Sequence, residues 1–330
     1  MHRRRGYRAA LGLAAAPTDC VAGPTRVTPL PLVLKPLLGR LGNQLFQWAS
    51  AYGIAAKHNA SLCLSGAQGL AASFVGPFHE CGAWHAALTP CSLAATGVPC
   101  VRQYLEQGPH RFDDLPVDGA YVRFPHSFLA SFRYFAHVES VVRRRLRFQP
   151  HLRVAARATV ARSPCVRANP RAALAGVHVR RTDRSRLQRV PDAAFFAKAM
   201  AHLRTQRAAR GVCFVIVSDD VEWCRAQRVF AAADVHLVNE SQPGVALATL
   251  VRCDDHVVSV GTFGWWGAWL GRGRGMGTVV HFAAEDLGQN RFRPPRLWAK
   301  KQHERAGVAV PALVPAAVPR DYFPSEWVAL

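Results

Sequence analysis

The chain has 330 residues, of which 50% are hydrophobic and 19% are charged. This composition is typical of a soluble globular protein and excludes a disordered chain, and the length suffices for two domains. The formal net charge of +21 favours an anionic partner, which leaves nucleic acid, a phosphorylated substrate and an acidic membrane surface open. Because arginine and alanine are both abundant, a coding bias explains the surface arginines equally well, and only arginines inside a motif carry weight.

Residues 1–27 are predicted to form a poorly ordered leader. The leader begins with a basic stretch, and the apolar segment Ala9–Ala16 that follows has only eight residues. A segment of that length is far too short to span a bilayer. We therefore expect membrane association only if an N-terminal anchor is missing from this chain.

The first domain is predicted to span residues 28–160. Apolar residues recur at helical spacing from Leu45 to Ala56, which indicates a helix with one buried face. The predicted elements, in chain order, are a strand at 29–34, a glycine turn at 38–42, this helix, a strand at 61–64, and a helix within 121–148 that ends near Phe148.

The second domain is predicted to span residues 161–330, after a proline-containing linker at 149–172. The predicted strands lie at 173–179, 212–217, 234–238, 256–260 and 278–282. The predicted helices lie at 192–207, 221–231, 245–252 and 265–270. Strands that alternate with helices indicate right-handed βαβ units and a parallel sheet. Two such domains that face each other would bind a ligand between them, at the carboxyl ends of the strands.

The nine cysteines form no CxxC pair and no Cys/His cluster at metal spacing, which argues against a structural zinc site. Cys213 lies in the apolar run 212–217 and is interpreted as a small core residue. Cys81, Cys91 and Cys100 lie in a loop-rich region, where pairing is expected if the chain is lumenal.

The segment 176-GVHVRRTDR-184 places charged residues at the end of a predicted strand. In a strand, Val177 and Val179 point one way and His178 and Arg180 the other. The loop then holds Arg181 and Asp183, and arginine matches phosphate oxygens with planar, bidentate donors. The segment is therefore either an anion site or a solvated arginine pair.

Two further strand ends release polar residues. After the strand at 256–260, Gly261-Thr262-Phe263-Gly264 leads into a helix near Trp265, and the backbone N–H groups at such a helix start suit a phosphate. Trp265 and Trp266 either wall this pocket or pack in the core. After 214-FVIVSDD-220, Ser218, Asp219 and Asp220 are candidates for ribose or base contacts, although at least one aspartate is expected to cap the next helix.

Several common catalytic motifs are absent from the sequence. There is no GxGxxG with a following acidic residue, no GxxxxGK[ST] and no GxSxG, so a dinucleotide oxidoreductase or a kinase has little support. There is also no DxD, which disfavours a metal-dependent sugar transferase. The prediction is therefore a site without a metal and without a cofactor.

Four segments in this order and spacing resemble glycosyltransferase family 11, the galactoside α-1,2-fucosyltransferases. They are GRLGNQLFQWASAYGIAAKH, GVHVRRTDR, FVIVSDDVEWCRA and VGTFGWWGAWL, and the closing YFPSEWVAL is similar to the tail of animal members. The HVRR element alone is shared with protein O-fucosyltransferases and α-1,6-fucosyltransferases. The glycine-rich helix start and the TFGWWGAWL segment point to family 11.

The resemblance implies a GT-B-like fold of two facing Rossmann-like domains, with parallel sheets and helices on both faces. It also implies an inverting, metal-independent transfer of L-fucose from GDP-β-L-fucose to the 2-hydroxyl of a terminal β-galactose. The second domain would bind GDP-fucose and the first would lie on the acceptor side. The implied donor-binding residues are Gly39, Arg40, Gly42, Asn43, Gln44, Arg180, Arg181, Ser218, Asp219, Asp220, Thr262, Phe263, Gly264 and Trp265.

The resemblance assigns catalytic roles to the HxRRxD element. Arg181 is the choice for the pyrophosphate, because a fixed guanidinium offsets the negative charge that develops as GDP leaves. Asp183 and His178 are the candidates for the base that accepts the proton of the galactose hydroxyl. A loose, oxocarbenium-like transition state needs little help from a base, so the absence of a dedicated base stays an alternative.

The sequence departs from the usual family pattern at two positions. Thr182 stands where most members have glycine. Arg184 replaces a usual aromatic residue, a change that is expected to alter the acceptor side of the site. The resemblance to animal members also implies a Golgi lumen, membrane-associated location. In that compartment the sequons at Asn59 and Asn239 would accept glycans.

Three other functions stay open from the sequence. The chain could be a protein O- or core α-1,6-type fucosyltransferase, a basic nucleic-acid-binding protein, or an inactive glycan- or nucleotide-binding relative. The basic residues are dispersed and no RNP-type aromatic motif or recognition helix appears, so no nucleic-acid partner is predicted. Intact Arg180, Arg181 and Asp183 argue against an inactive relative.

Overall fold

The computed structural model describes residues 31–78, 80–81, 101–104, 110–118, 120–125, 127–183, 190–272, 277–283 and 319–330. The predicted leader, Cys91, Cys100 and Arg184 lie outside these residues. Within the described residues, no helix is both long and apolar enough to cross a membrane.

The first half contains a parallel sheet of four strands in the order β2-β1-β4-β3. Its strands are β1 (Leu32–Pro36), β2 (Ser61–Ser65), β3 (Arg102–Gln103) and β4 (Tyr121–Arg123). Its α-helices are α1 (Leu41–Lys57), α2 (Gln68–Ser73) and α3 (Glu139–Arg145). Short 3₁₀ helices at Phe132–Tyr134 and Ala136–Val138 precede α3.

The second half contains a parallel sheet of six strands in the order β10-β9-β8-β5-β6-β7. Its strands are β5 (Ala173–Val179), β6 (Val212–Ser218), β7 (Val235–Val238), β8 (Asp255–Val258), β9 (Val279–His281) and β10 (Val328–Ala329). Its α-helices are α4 (Pro150–Ala161), α5 (Pro164–Ala168), α6 (Ala193–Gln206), α7 (Val221–Ala226), α8 (Pro243–Val251), α9 (Thr262–Gly271) and α10 (Pro319–Tyr322), with a 3₁₀ helix at Arg228–Phe230. The predicted pair of parallel sheets is confirmed.

One prediction about the middle of the chain is wrong, and another holds for only part of its range. The segment 149–172 is not a linker, because Pro150 and Pro164 stand at the first turns of α4 and α5. Proline fits that position, where its missing N–H would have no helical acceptor. The helix predicted within 121–148 is present at Glu139–Arg145, close to the expected end at Phe148, but the start of that range, Tyr121–Arg123, is a strand that pairs with β1. A short buried strand has the same apolar content as a buried helix turn, so composition did not separate them.

The two halves share one aromatic core. The Phe46 ring of α1 lies 4.5 Å from the Trp265 ring and 5.1 Å from the Trp266 ring of α9, both measured between centroids. Phe135 stacks on Trp266 at 5.6 Å, and Tyr322 stacks on Phe46 at 5.7 Å. Both tryptophans are fully buried. This core fixes the start of α1 against the start of α9.

The cysteine interpretation needs one correction. Cys213 is not a lone core residue, because it forms a disulfide with Cys165. Cys81 pairs with Cys63, a residue for which no partner was predicted. Among the described residues, Cys224 and Cys253 are buried and free.

Candidate active site

The carboxyl ends of β1, β5, β6 and β8 carry the loops that the sequence singled out. In the six-stranded sheet the chain runs from β5 outward to β7, and then returns to place β8 on the other side of β5. Such a reversal leaves a crevice at the carboxyl ends of the two central strands, where open α/β sheets bind ligands. The amide of Arg180, after β5, donates to the Ser259 hydroxyl after β8 at 3.0 Å.

The glycine turn after β1 is held by one buried side chain. Gly39 has φ +76°, a conformation that favours glycine. The Gln47 amide accepts from the Leu38 N–H at 3.0 Å and donates to the Leu38 carbonyl at 2.7 Å. It also donates to the Asn43 carbonyl at 3.0 Å. Gln47 therefore joins the turn to the first turn of α1.

The first turn of α1 lies directly against the first turn of α9. A Cβ atom on Gly42 would lie 2.7 Å from the Thr262 hydroxyl oxygen and 2.8 Å from the Phe263 amide nitrogen. The Thr262 hydroxyl donates to the Asn43 side-chain oxygen at 2.7 Å. Neither helix has a side-chain N-cap, and α9 begins after Gly261 with φ +84°. Two helix starts, with their partly unsatisfied amides and positive dipole ends, thus meet at the crevice.

An ion-pair network crosses the crevice from one half to the other. Arg40 contacts the Asp183 carboxylate at 3.0 Å between Nη2 and Oδ2; the Arg40 side chain is largely exposed and that of Asp183 about half exposed. Arg180 contacts both Asp183 and Asp219. The Arg181 amide and the Thr182 hydroxyl also donate to Asp219. Four predicted residues therefore lie together: Arg40, Arg180, Asp183 and Asp219. The two carboxylates occupy the arginine donors that a bound anion would contact.

The Arg181 side chain leaves β5 on the other face from Arg180. Its guanidinium lies 3.8 Å above the Trp223 ring and donates to the Pro191 carbonyl at 3.1 Å. Its Nε is 4.0 Å from the Asp220 carboxylate. Arginine has five N–H donors, so most of them have no hydrogen-bond acceptor among the described residues. Arg180 faces the first half, whereas Arg181 is braced against α7.

His178 is buried beneath the crevice and does not open onto it. Burial and the Arg180 charge lower the pKa of His178 to about 3, so its imidazole is neutral at ordinary pH. Its ring lies 5.6 Å from the Phe263 ring, and a side chain at Gly264 would overlap it. A buried base whose conjugate acid is so strong accepts a substrate proton poorly. These observations favour a packing role for His178.

Of the remaining predicted residues, some hold the loops around the crevice in place and one packs in the core. Ser218 and Asp220 organise the end of β6: the Ser218 hydroxyl donates to the Val179 carbonyl at 2.9 Å, and Asp220 caps α7 by accepting from the Trp223 amide. The capping role expected for one aspartate is confirmed. Gln44 donates to the Gly39 carbonyl at 3.1 Å and so supports the turn. The assignment of Trp265 to donor binding needs a correction, because Trp265 is fully buried and its indole N–H donates to the Tyr322 carbonyl at 2.8 Å, so it packs in the core.

The family model described as Glycosyl transferase family 11 matches residues 110–294, which is more than half of the chain. The chain belongs to this family. The match includes the β5 loop, the β6 loop and the start of α9, and the glycine turn lies before it.

Among curated relatives, "Galactoside alpha-(1,2)-fucosyltransferase 1" of Homo sapiens is 30% identical over 254 residues. The protein of the same name from Sus scrofa is 29% identical over 254 residues. Each alignment covers 71% of this chain and 64% of the relative, so the chain spans less than two thirds of the length of these relatives.

A solved structure supports the fold. This family 11 chain is similar, with a TM-score of 0.50, to a variant of Arabidopsis thaliana FUT1 in complex with GDP. The sequences are 12% identical, and the alignment covers 80% of this chain and 73% of that one. At this identity the likeness concerns the fold alone.

Three residues of the candidate site were not predicted. They are Gln47, Ser259 and Trp223, and each holds a predicted residue or loop rather than a ligand. Gln47 had a detectable signal, because it is an amide among apolar residues of a helix and is fully buried. No group of three or more His, Cys, Asp or Glu residues suited to a metal ion occurs within the described ranges.

Proposed function

We propose that this family 11 chain transfers L-fucose from GDP-β-L-fucose to the 2-hydroxyl of a terminal β-galactose, with inversion and without a metal ion. The observation that carries the proposal is the meeting of Arg40, from the glycine turn, with the Arg180–Asp183 loop at the carboxyl edge of both sheets. The names of the curated relatives support the substrate class.

The arginines and helix starts would bind the diphosphate of the donor. Arg180 and Arg40 face the crevice, and each pairs with a carboxylate that an incoming phosphate would replace. Arg181 keeps donors available and stays our choice for the β-phosphate contact, where fixed positive charge stabilises the departing GDP. The amides that open α1 and α9 add donors aimed at the same crevice.

Asp183 is the residue we propose to accept the proton of the acceptor hydroxyl. It lies at the crevice mouth with about half of its side chain exposed, and it contacts arginines from both halves. Release of Arg40 and Arg180 to the donor diphosphate would leave this carboxylate free for the hydroxyl. His178 would support the loop by packing, because it is buried and neutral.

We also propose that the chain acts in the Golgi lumen. Two disulfides, Cys63–Cys81 and Cys165–Cys213, are typical of an oxidising compartment. Asn59 and Asn239, the asparagines of both sequons, are exposed and accessible to glycosylation. Expression through a secretory pathway, with and without peptide N-glycosidase, would detect the glycans as a mobility shift, and an unchanged mobility would contradict their use.

The transfer is tested with labelled GDP-fucose, a panel of β-galactosides and linkage analysis of the product. We expect an α-1,2 linkage to galactose, with the same rate in the presence of EDTA. Label on a peptide hydroxyl or on the core N-acetylglucosamine would instead identify one of the other fucosyltransferase classes. Release of GDP only with added divalent metal would contradict the metal-independent mechanism.

A further inference from the structure

The Arg181 guanidinium lies on the face of the Trp223 ring, with its Cζ atom 3.8 Å from the ring centroid. The negative face of an indole attracts a cation in this position. Arg181 also donates to the Pro191 carbonyl at 3.1 Å. The Asp220 carboxylate is 4.0 Å from Nε, beyond hydrogen-bond distance. Among the described residues, a ring face and a carbonyl therefore hold this side chain in place of a hydrogen-bonded carboxylate.

The neighbouring arginine is held in a different way. Arg180 contacts the carboxylates of Asp183 and Asp219, and a diphosphate that binds Arg180 must displace them. The contact of Arg181 with a neutral ring requires no such exchange. Fixed donors that need no reorganisation are the most effective in stabilising charge that develops during a reaction. The ring thus keeps Arg181 in place without occupying its hydrogen-bond donors.

The Trp223 side chain is itself fixed in position. Its backbone amide donates to the Asp220 side chain at 3.1 Å, in the first turn of α7. Its ring packs edge-on against the rings of Phe196 and Phe230, each at 6.2 Å between centroids. Phe196 is fully buried, whereas Trp223 is only partly buried. Trp223 therefore extends from the core to the Arg181 side chain as a rigid plate.

A tryptophan at this place has two separable roles. One role is to cover the core formed by Phe196 and Phe230, and a large aliphatic side chain also fills such a space. The other role is to present a flat aromatic face to a guanidinium, which an aliphatic side chain does not provide. Only the second role depends on the presence of Arg181. A substitution that removes the face while it keeps an apolar side chain distinguishes the two.

We propose that Trp223 is a positioning residue, which holds the Arg181 guanidinium in the orientation that contacts the β-phosphate of GDP. This inference rests on the proposed function, in which Arg181 makes that contact. Without the ring, Arg181 keeps its charge but samples more rotamers, and binding must then restrict them at a cost in entropy. The contact is weaker as a result, both with bound GDP and with GDP as it leaves the fucose.

The experiment compares Trp223→Leu and Trp223→Phe in the wild type and in Arg181→Ala. Calorimetric titration with GDP gives the affinity, and initial rates with GDP-fucose and a β-galactoside give kcat and KM. Trp223→Leu should lower both kcat and GDP affinity by roughly tenfold, the size of a partly desolvated cation–π contact. The KM of the acceptor should stay unchanged. Trp223→Phe retains a ring face and should keep most of both quantities. In Arg181→Ala, Trp223→Leu should have no further effect.

Phe195→Leu is the matched control, because the Phe195 ring packs against Phe196 and Phe282 in the same core. It should lower the free energy of unfolding in urea and leave kcat and GDP affinity unchanged. Equal losses from Trp223→Leu with and without Arg181 would overturn the inference in favour of packing. Full activity of Trp223→Leu, or equal losses for Trp223→Phe and Trp223→Leu, would overturn it as well.

The two readouts separate this inference from the proposed function. A wild-type protein that binds GDP but transfers no fucose would overturn the proposed function, and the GDP titrations would still decide the role of Trp223. Transfer with no dependence of Trp223→Leu on Arg181 would overturn the inference alone. Absence of GDP binding by the wild type would overturn both.

Discussion

Asn43, in the first turn of α1, accepts a hydrogen bond of 2.7 Å from the hydroxyl of Thr262, in the first turn of α9. These residues are 219 positions apart in the chain, and their bond joins the two halves beside the crevice. Gly42 makes the contact close enough, since any side chain there would meet Thr262 and Phe263. The glycine-rich start of α1 therefore contacts the second half directly, in addition to being a candidate donor site.

The Asn43–Thr262 bond predicts coupled effects on stability. Asn43→Ala and Thr262→Val should each lower the free energy of unfolding by about 1–2 kcal/mol. Each variant removes one partner of this hydrogen bond and leaves the other partner, which is partly buried, without it. The double variant should lose about 1 kcal/mol less than the sum. Urea unfolding of the four proteins measures this coupling.

Thr205→Val is the control, because the Thr205 hydroxyl bonds only within its own exposed helix turn. Its effect should stay within about 0.5 kcal/mol, as is usual for surface positions. Strictly additive losses for Asn43 and Thr262 would show that their bond does not contribute in solution. Fucose transfer by Asn43→Ala should fall while the protein remains folded.

Replacing Arg180 and replacing Arg181, the two arginines after β5, should have different measurable effects. Arg180→Ala and Arg181→Ala should each lower kcat/KM by roughly 10²–10³, if each supplies charge to the departing diphosphate. Arg181→Ala should in addition change the Trp223 fluorescence, because it removes the cation above that ring. Transfer assays and titrations with GDP measure the loss in each variant. Fluorescence of the free protein then distinguishes Arg181→Ala from Arg180→Ala.

Arg225→Ala serves as the control, since Arg225 is exposed and pairs with Glu222 on the outer surface of α7. It should leave transfer unchanged. Full activity of Arg181→Ala would reject its assignment to the pyrophosphate and leave Arg180 as the arginine that faces the crevice. Full activity of both variants would reject the crevice as the donor site.

The second sheet was predictable because its strands are continuous apolar runs and its helices begin after polar residues such as Asp192 and Asp220. Prediction was poorer where one residue type has two uses. Pro150 and Pro164 were interpreted as breaks although they begin helices, and Gly264 was assigned to a loop although it lies in the first turn of α9. Its missing side chain makes room for His178.

The arrangement of the site depended on contacts that no local pattern contains. The residue types of the HVRRTD loop were evident, but alternation along β5 did not reveal that Arg180 would meet Arg40 through Asp183. The buried Gln47 and the aromatic contact of Phe46 with Trp265 and Trp266 are likewise products of long-range packing. Such pairings need the sheet order, which the sequence did not specify.

The Cys165–Cys213 disulfide joins the start of α5 to β6 and closes a separation of 48 residues. Replacing both cysteines by serine should lower the free energy of unfolding by about 2–4 kcal/mol. The measurement is urea unfolding beside Cys224→Ser, which removes a free cysteine from the same domain. Thiol titration of the unreduced, denatured protein that finds Cys165 and Cys213 free would contradict the bond.

Buried histidines should make the fold sensitive to acid. In the folded protein burial lowers the pKa of His178 to about 3, whereas an unfolded histidine has a pKa near 6.5. Above pH about 6.5, His178 is neutral in both the folded and the unfolded state, and its contribution to the free energy of unfolding is complete. As the pH falls from about 6.5 toward 3, only the unfolded state gains the proton, so His178 alone should cost about 2 kcal/mol at pH 5.

Urea unfolding of the wild type and of His178→Asn between pH 8 and pH 5 tests this, since the variant lacks the titrating group. The variant should start less stable at about pH 8, because it loses packing against Phe263, and should then lose less stability on acidification. His256, whose pKa burial lowers to about 4, keeps part of the acid sensitivity in the variant. Thr205→Val, which changes no titrating group, is the control and should leave the slope unchanged. Parallel slopes for wild type and His178→Asn would mean that His178 is protonated or solvated in the folded protein, and would reopen its candidacy as the base.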